Sequence, residues 1–178
     1  NPWHAYWISK HIEFFESIGI NPENLRVRQH LKEERAHYAI DTWDLEYKFP
    51  FGWKELEGFA NRTDYDLKRH QEYSKKKLEL VDQEKGKYIP YVIAEPSLGV
   101  DRAILMLLYE AYNYDEKRGY VVLKLHPRIA PIKAAVFPLI KKDKEQVRIA
   151  RQIYQELIDN DIVAFYDETG SIGRRYAR

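Results

Sequence analysis

Glu95, Ser97 and Arg102 fall close together in the stretch "VIAEPSLGVDRAILMLL", Val92–Leu108. A carboxylate and a hydroxyl suit a small molecule with an ammonium group, and a guanidinium suits an anion such as phosphate. Pro96 keeps the chain extended between the first two. Gly99 permits close backbone approach where a helix is expected to begin. The spacing of Val100, Ile104, Leu107, Leu108 and Ala111 predicts that helix over 100–113. Arg102 then lies in its first turn, where the helix dipole disfavours a cation by roughly 0.3–1 kcal/mol, partly offset by Asp101. Such a position fits anion binding. It fits equally a pairing of Arg102 with Asp101 or with a strand carboxylate. Ser97 also suits a helix cap, and Glu95 an ion pair with Arg102, so these residues alone leave both readings open.

A second group lies upstream, in "WKELEGFA" (53–60). Two-residue spacing predicts Glu55 and Glu57 on one strand face with Trp53 and Phe59. Carboxylates among aromatics are costly unless paired or metal-bound. Mg²⁺ sites use one or two carboxylates together with substrate phosphates, and a solvated sheet face is the alternative. In "ANRTDYDLKRH" (60–70) Arg62 can hold a carboxylate or phosphate, while Asp64 and Asp66 suit helix caps or ion pairs. "GSIGRRYAR" (170–178) sets Arg174, Arg175 and Arg178 around Tyr176. That arrangement suits RNA phosphate with a stacked base, or ordinary surface arginines at a helix start. The six histidines show no metal-ligand spacing. Walker, GxGxxG and Gly-x-Ser-x-Gly patterns are absent, which leaves P-loop hydrolysis, dinucleotide chemistry and nucleophilic catalysis unsupported.

The elements that must position these residues are readable in outline. Trp3, Trp7, Phe14 and Ile18, with Ile8, Ile12 and Phe15, predict a helix over 2–18 ending at Gly19. A short strand is expected at 25–31. Alternation over 38–49 puts Trp43, Leu45, Tyr47 and Phe49 on one face and Thr42, Asp44, Glu46 and Lys48 on the other. "PFG" (50–52) turns the chain into 53–60, making an antiparallel hairpin. Residues 61–86 read as a loop with a short charged helix, and 88–95 as a strand. After a strand at 120–125, "HPRIAPIK" carries two prolines and reads as a linker. Strand 134–140, helix 143–159 and strand 162–167 form a parallel unit with a right-handed crossover. The helix should present Val147, Ala150, Ile153, Tyr154, Leu157 and Ile158 to it. The expected organisation is 1–126, a linker at 127–132, and 133–178.

The composition suits a folded domain. The 178 residues are 44% hydrophobic and 32% charged, with net charge +1. No global basic field announces nucleic acid. The absence of cysteine excludes disulfides and thiolate chemistry and accords with a cytoplasmic location. No run is long enough to span a membrane as a helix. The first residue is Asn1 and the one methionine is Met106. A fragment of a longer protein is the expectation, with ordinary processing the alternative.

"HYAIDTWDLEYKFPFGWKELEGFANRTDYDLKRH", "PYVIAEPSLGVDR", "APIKAAVFPL" and "GSIGRRYAR" together resemble successive parts of the glycyl-tRNA synthetases of the homodimeric class II type. Glu-Pro-Ser followed by Gly-x-x-Arg is similar to that family's third class II motif. The resemblance implies an α+β fold: an antiparallel class II sheet flanked by helices, then part of a small α/β anticodon-binding domain. It implies glycine binding by Glu95, Pro96, Ser97, Leu98, Gly99 and Arg62. It implies ATP binding by Glu55, Leu56, Gly99, Val100, Asp101 and Arg102. Arg102 would be the catalytic arginine near the γ-phosphate, and Glu55 would approach the Mg²⁺ that accompanies ATP. Arg174, Arg175 and Arg178 would meet tRNA. Glycine, ATP and the glycine-specific tRNA would be the partners, in a homodimer with no membrane association.

The first two class II motifs and most of the anticodon domain have no counterpart in this sequence, so the chain alone is expected to be inactive. A non-catalytic paralogue that binds nucleic acid or a protein is the alternative function, and a related enzyme for another amino acid is a third. Ala94 departs from the family's Val-Ile-Glu pattern. One added residue predicts reversed facing upstream of Glu95, or a bulge that absorbs it.

Overall fold

The computed structural model describes residues 2–177. The chain forms two units, one ending at Leu125 and the other beginning at His126. In the first, helix α1 (Pro2–Ser17) precedes strands β1 (Leu25–Gln29), β2 (Asp41–Phe49) and β3 (Gly52–Asn61). Helix α2 (Tyr65–Ser74) and a hairpin of β4 (Leu80–Asp82) and β5 (Gly86–Tyr88) follow. Then come β6 (Glu95–Leu98), α3 (Val100–Ala111) and a second hairpin, β7 (Tyr112–Asp115) with β8 (Tyr120–Leu123). The main sheet has the order β1-β2-β3-β6 and every pairing in it is antiparallel. The protein is thus α+β, with an antiparallel sheet flanked by helices.

Local chemistry accounts for the joints. Gly19, at φ +96°, follows α1, and Gly52, at φ +105°, turns β2 into β3. Both are conformations that favour glycine. The register of β2 and β3 shifts once: Leu45 pairs with Glu57 and Glu46 with Glu55, leaving Leu56 unmatched. One extra residue on β3 is a β-bulge. It reverses the facing expected of the two glutamates. Directly paired residues share a face, so Glu57 joins Leu45 and Phe59, while Glu55 joins Glu46. Simple alternation holds Glu55 and Glu57 together; the bulge separates them.

The two sheet faces differ sharply. Leu45, Tyr47, Phe49 and Phe59 are buried on one, with Ile8 and Phe15 of α1 and Met106 and Ala111 of α3 also in the core. Each large side chain buried there contributes about 1.5–3 kcal/mol. His4 Nε2 hydrogen-bonds the Phe59 carbonyl at 3.3 Å, and Tyr47 donates to Glu110 Oε2 of α3 at 2.5 Å. Burial and that carboxylate push the Tyr47 phenol well above its usual pKa. Helix α1 does not bury its tryptophans: Trp3, Trp7 and Phe14 are exposed, while His4, Ile8 and Phe15 turn inward. Histidine on the inward stripe replaces the tryptophans expected there.

The polar face is built by β1 and β2 as a charge ladder. Arg26 and Arg28 both reach Glu46. Arg28 also lies 3.4 Å from Asp44, and His30 Nε2 lies 2.7 Å from Asp44 Oδ2. These partners let Asp44 and Glu46 be buried despite their charge.

In the second unit β9 (Ala134–Val136) and β10 (Ala164–Tyr166) pair in parallel, joined through α4 (Lys144–Asp159). Asp143 caps α4, accepting from the Glu145 and Gln146 amides at 3.0 and 3.2 Å. A short helix α5 (Ile172–Tyr176) closes the unit. Of the expected α4 face only Ala150 is fully buried, and Ile153 and Ile158 are exposed. Two three-residue strands are too small to cover the helix. No helix among the described residues is long and apolar enough to cross a membrane.

Candidate functional site

Strand β6 is the Glu-Pro-Ser-Leu run itself. It pairs with β3 as Glu95 with Ala60, Pro96 with Phe59, Ser97 with Gly58, and Leu98 with Glu57. The same register continues upstream through an isolated bridge between Thr63 and Val92. No bulge therefore stands at Ala94: the register is unshifted between Val92 and Glu95. The strand expected over 88–95 instead reduces to this bridge, and Tyr88 closes the β4–β5 hairpin.

Pairing decides which site residues meet. Ser97 shares a face with Gly58 and Asp44, and Glu95 shares it with Ala60 and Thr42. This is the polar face, which also carries Glu55. Pro96 and Leu98 point to the helix-covered face, with Phe59 and Glu57. The expected glycine-binding set is thus divided: Glu95 and Ser97 present side chains to the open face, while Pro96 and Leu98 shape the strand from behind.

Arg62, the residue after β3, links three elements. Its Nη1 donates to Glu95 Oε2 at 2.8 Å, and its Nε and Nη2 donate to the Asp66 carboxylate of α2 at 2.5 and 2.8 Å. The guanidinium lies over the Tyr38 ring, 3.8 Å from its centroid. The Asp66 hydrogen bond, with support from Glu95, holds Arg62 above its usual pKa, so it stays charged. Asp66 is correspondingly held below its own. Asp66 therefore pairs rather than caps, and Asp64, at the N-cap of α2, makes no capping bond with its side chain.

Arg102 extends from the first turn of α3 back to β3. Its Nη1 donates to the Glu55 carbonyl at 2.7 Å and stands 3.9 Å from Glu55 Oε2. Both side chains are about half exposed, at 50% and 54%, so the pair is screened by solvent and has spare donors and oxygens. Gly99, Val100 and Asp101, at the start of α3, are exposed beside it. Leu56 is only 1% exposed, so its side chain offers no surface to a nucleotide.

Sequence reasoning missed Tyr38 and Asp44. Tyr38 sits 24 positions before Arg62 in the chain and only the folded hairpin brings them together. Asp44 was placed on the polar face by alternation, but its closeness to Glu55 depends on the bulge. Glu57 lies outside this cluster. It is 2% exposed behind the sheet, 2.8 Å from His11 Nδ1, and burial raises its carboxyl pKa against the opposing pull of His11.

The tail arginines separate as well. Arg174 is exposed on α5. Arg175 is 3% exposed and donates to the carbonyls of Pro138 and Gly170. Contrary to expectation it ties its unit together and does not face solvent, because α5 turns it inward. Arg178 lies outside the described residues. Among the described residues no cluster of three or more histidine, aspartate or glutamate side chains could hold a metal.

No family model matches the chain. It is 52% identical over 179 residues to the glycine–tRNA ligase of Caldanaerobacter subterraneus subsp. tengcongensis, covering 99% of this chain and 38% of that protein. It is 49% identical over 180 residues to the glycine–tRNA ligase of Geobacillus kaustophilus, again 99% and 38%. With the glycine–tRNA ligase of Clostridium acetobutylicum the identity is 50% over 180 residues, at the same coverage. The chain spans 38% of the length of these curated relatives.

Proposed function

We propose that this chain, about half identical to one segment of the glycine–tRNA ligases, supplies the glycine pocket and part of the ATP site of such an enzyme. The observation that carries this reading is the open face of β3 and β6. Glu95 and Ser97 stand there beside Arg62, with Glu55 and Arg102 at the other end of the same face. A carboxylate and hydroxyl at one end fit an ammonium group; a half-exposed arginine at the other fits phosphate.

The reaction has two steps. A carboxylate oxygen of glycine attacks the α-phosphorus of ATP, forming glycyl-adenylate and releasing pyrophosphate. A terminal ribose hydroxyl of tRNA then attacks the glycyl carbonyl and AMP leaves. Neither step needs a side-chain nucleophile, so positioning and charge stabilisation carry the catalysis. Glu95 holds the ammonium, oriented by Arg62, and Ser97 adds a hydrogen bond. Arg102 takes the γ-phosphate. Gly99, Val100 and Asp101 line its approach, and Leu56 contributes through its main chain. Arg174, exposed on α5, is the tail arginine that meets tRNA phosphate. The enzyme would act as a cytoplasmic homodimer.

Mg²⁺ fits the residues present. Glu55 offers a half-exposed carboxylate, the kind of oxygen donor that Mg²⁺ shares with nucleotide phosphates. When bound there, the ion would neutralise phosphate charge. Glu55 keeps an oxygen available because Arg102 makes its short hydrogen bond to the Glu55 carbonyl.

The test is ATP–pyrophosphate exchange by the full-length product of the gene that encodes this chain. Exchange that requires glycine supports the reading. Exchange that ignores glycine and responds to another amino acid overturns it.

A further inference from the structure

Gly58 occupies the interior of β3, paired with Asp44 on one side and Ser97 on the other. Glycine weakens a strand interior, so its presence calls for a reason. The backbone does not supply one, since Gly58 is not among the glycines of positive φ. Packing does not supply one either. A Cβ at this position would stand 3.8 Å from Asp44 Oδ1 and 3.8 Å from Glu55 Oε1, ordinary contact distances. What a side chain would occupy is the space itself. On this face Gly58 lies between the Asp44 and Glu55 carboxylates and directly across from Ser97, with Ala60 leading to Glu95.

We propose that Gly58 is a further substrate-binding position: its missing side chain leaves room on the face where Glu95 and Ser97 receive an amino-acid substrate. The inference rests on the glycine–tRNA ligase reading and extends it to a residue that acts by having no side chain. A methyl at position 58 fills space without straining the fold. It therefore interferes with the amino acid while sparing both the nucleotide and the stability of the strand.

The experiment compares wild type with Gly58→Ala and Gly58→Ser in the full-length protein, measuring thermal midpoint and exchange kinetics for glycine and for ATP. The expected result is a thermal midpoint equal to or above wild type, a KM for glycine raised roughly tenfold or more, and a KM for ATP unchanged. Gly58→Ser should raise the glycine KM at least as far. A Gly58→Ala protein with a normal glycine KM overturns the inference while leaving the ligase reading intact. So does a variant that fails to fold, since Gly58 would then be structural, and so does an equal loss for glycine and ATP. Wild type that shows no glycine-dependent exchange removes the ligase reading and this inference together.

Discussion

Arg62 and Glu95 meet at 2.8 Å, Nη1 to Oε2, while the other edge of the same guanidinium grips Asp66. The carboxylate assigned to the substrate ammonium is therefore not free to swing. Arg62 fixes one oxygen, and Tyr38 beneath the guanidinium fixes Arg62. The clamp orients the pocket from a position that need not itself touch the substrate.

Arg62→Lys should break this geometry while keeping the charge, because an ammonium cannot bridge Asp66 and Glu95 as a planar fork does. In the full-length enzyme the glycine KM is expected to rise, with kcat/KM for glycine falling by about 10²-fold, the scale of a misplaced binding group. Steady-state exchange kinetics check this, and an unchanged glycine KM would place Arg62 outside the pocket.

Arg102 is half exposed and bonded mainly to one carbonyl. Arg102→Ala should change unfolding free energy by no more than about 0.5 kcal/mol, as for most exposed positions. Adenylate formation should drop by about 10²–10³-fold, the cost of removing one charge-stabilising donor. Denaturant unfolding and exchange rates, measured on the same preparation, separate the two effects. A variant that unfolds yet keeps normal activity per folded molecule would return Arg102 to a structural role.

Glu57 makes a pH-dependent contribution of opposite sign to a surface carboxylate. Its folded pKa is raised above the ordinary 4.5 by burial, so the native state holds this proton more tightly than the unfolded chain. That stabilisation is complete below about pH 4.5, the unfolded value, and is lost as pH rises through the folded pKa. Glu57→Gln should flatten the fall in stability between mildly acid and neutral pH, read by denaturant titration across that range. A slope identical to wild type would show that His11 fully offsets the burial.

Arg175 and Arg174 are adjacent but should behave oppositely. Arg175→Ala removes the donor from two carbonyls, Pro138 and Gly170, and is expected to cost about 1–3 kcal/mol per buried group left unpaired. Arg174→Ala should leave stability near wild type and weaken tRNA binding, with a smaller salt dependence. Thermal unfolding and filter-binding across salt concentrations distinguish the pair.

The strand pattern of β2 was legible because Trp43, Leu45, Tyr47 and Phe49 alternate with polar residues, and the core confirms that face. The bulge at Leu56 was not legible. "KELEG" alternates cleanly, and only the register against Leu45 and Glu46 shows that one residue is left over. For this reason Glu55 and Glu57, two apart in sequence, serve opposite faces. The inward face of α1 was misassigned because bulk favours Trp3 and Trp7, whereas His4 finds a carbonyl partner on β3 that no local pattern predicts. Glu95, Ser97 and Arg102 stood out because their types conflict with an apolar junction. Their partners Arg62, Tyr38 and Glu55 come from distant segments, so contact between them awaited the fold.

The central claim is that Glu95 and Ser97 form a glycine pocket. Its most direct test is the amino-acid dependence of ATP–pyrophosphate exchange in the full-length protein, wild type against Glu95→Gln. Glycine-dependent exchange that Glu95→Gln abolishes through a raised glycine KM, with ATP binding retained, is the predicted result. Glycine-dependent exchange that survives the substitution at the wild-type KM would contradict it.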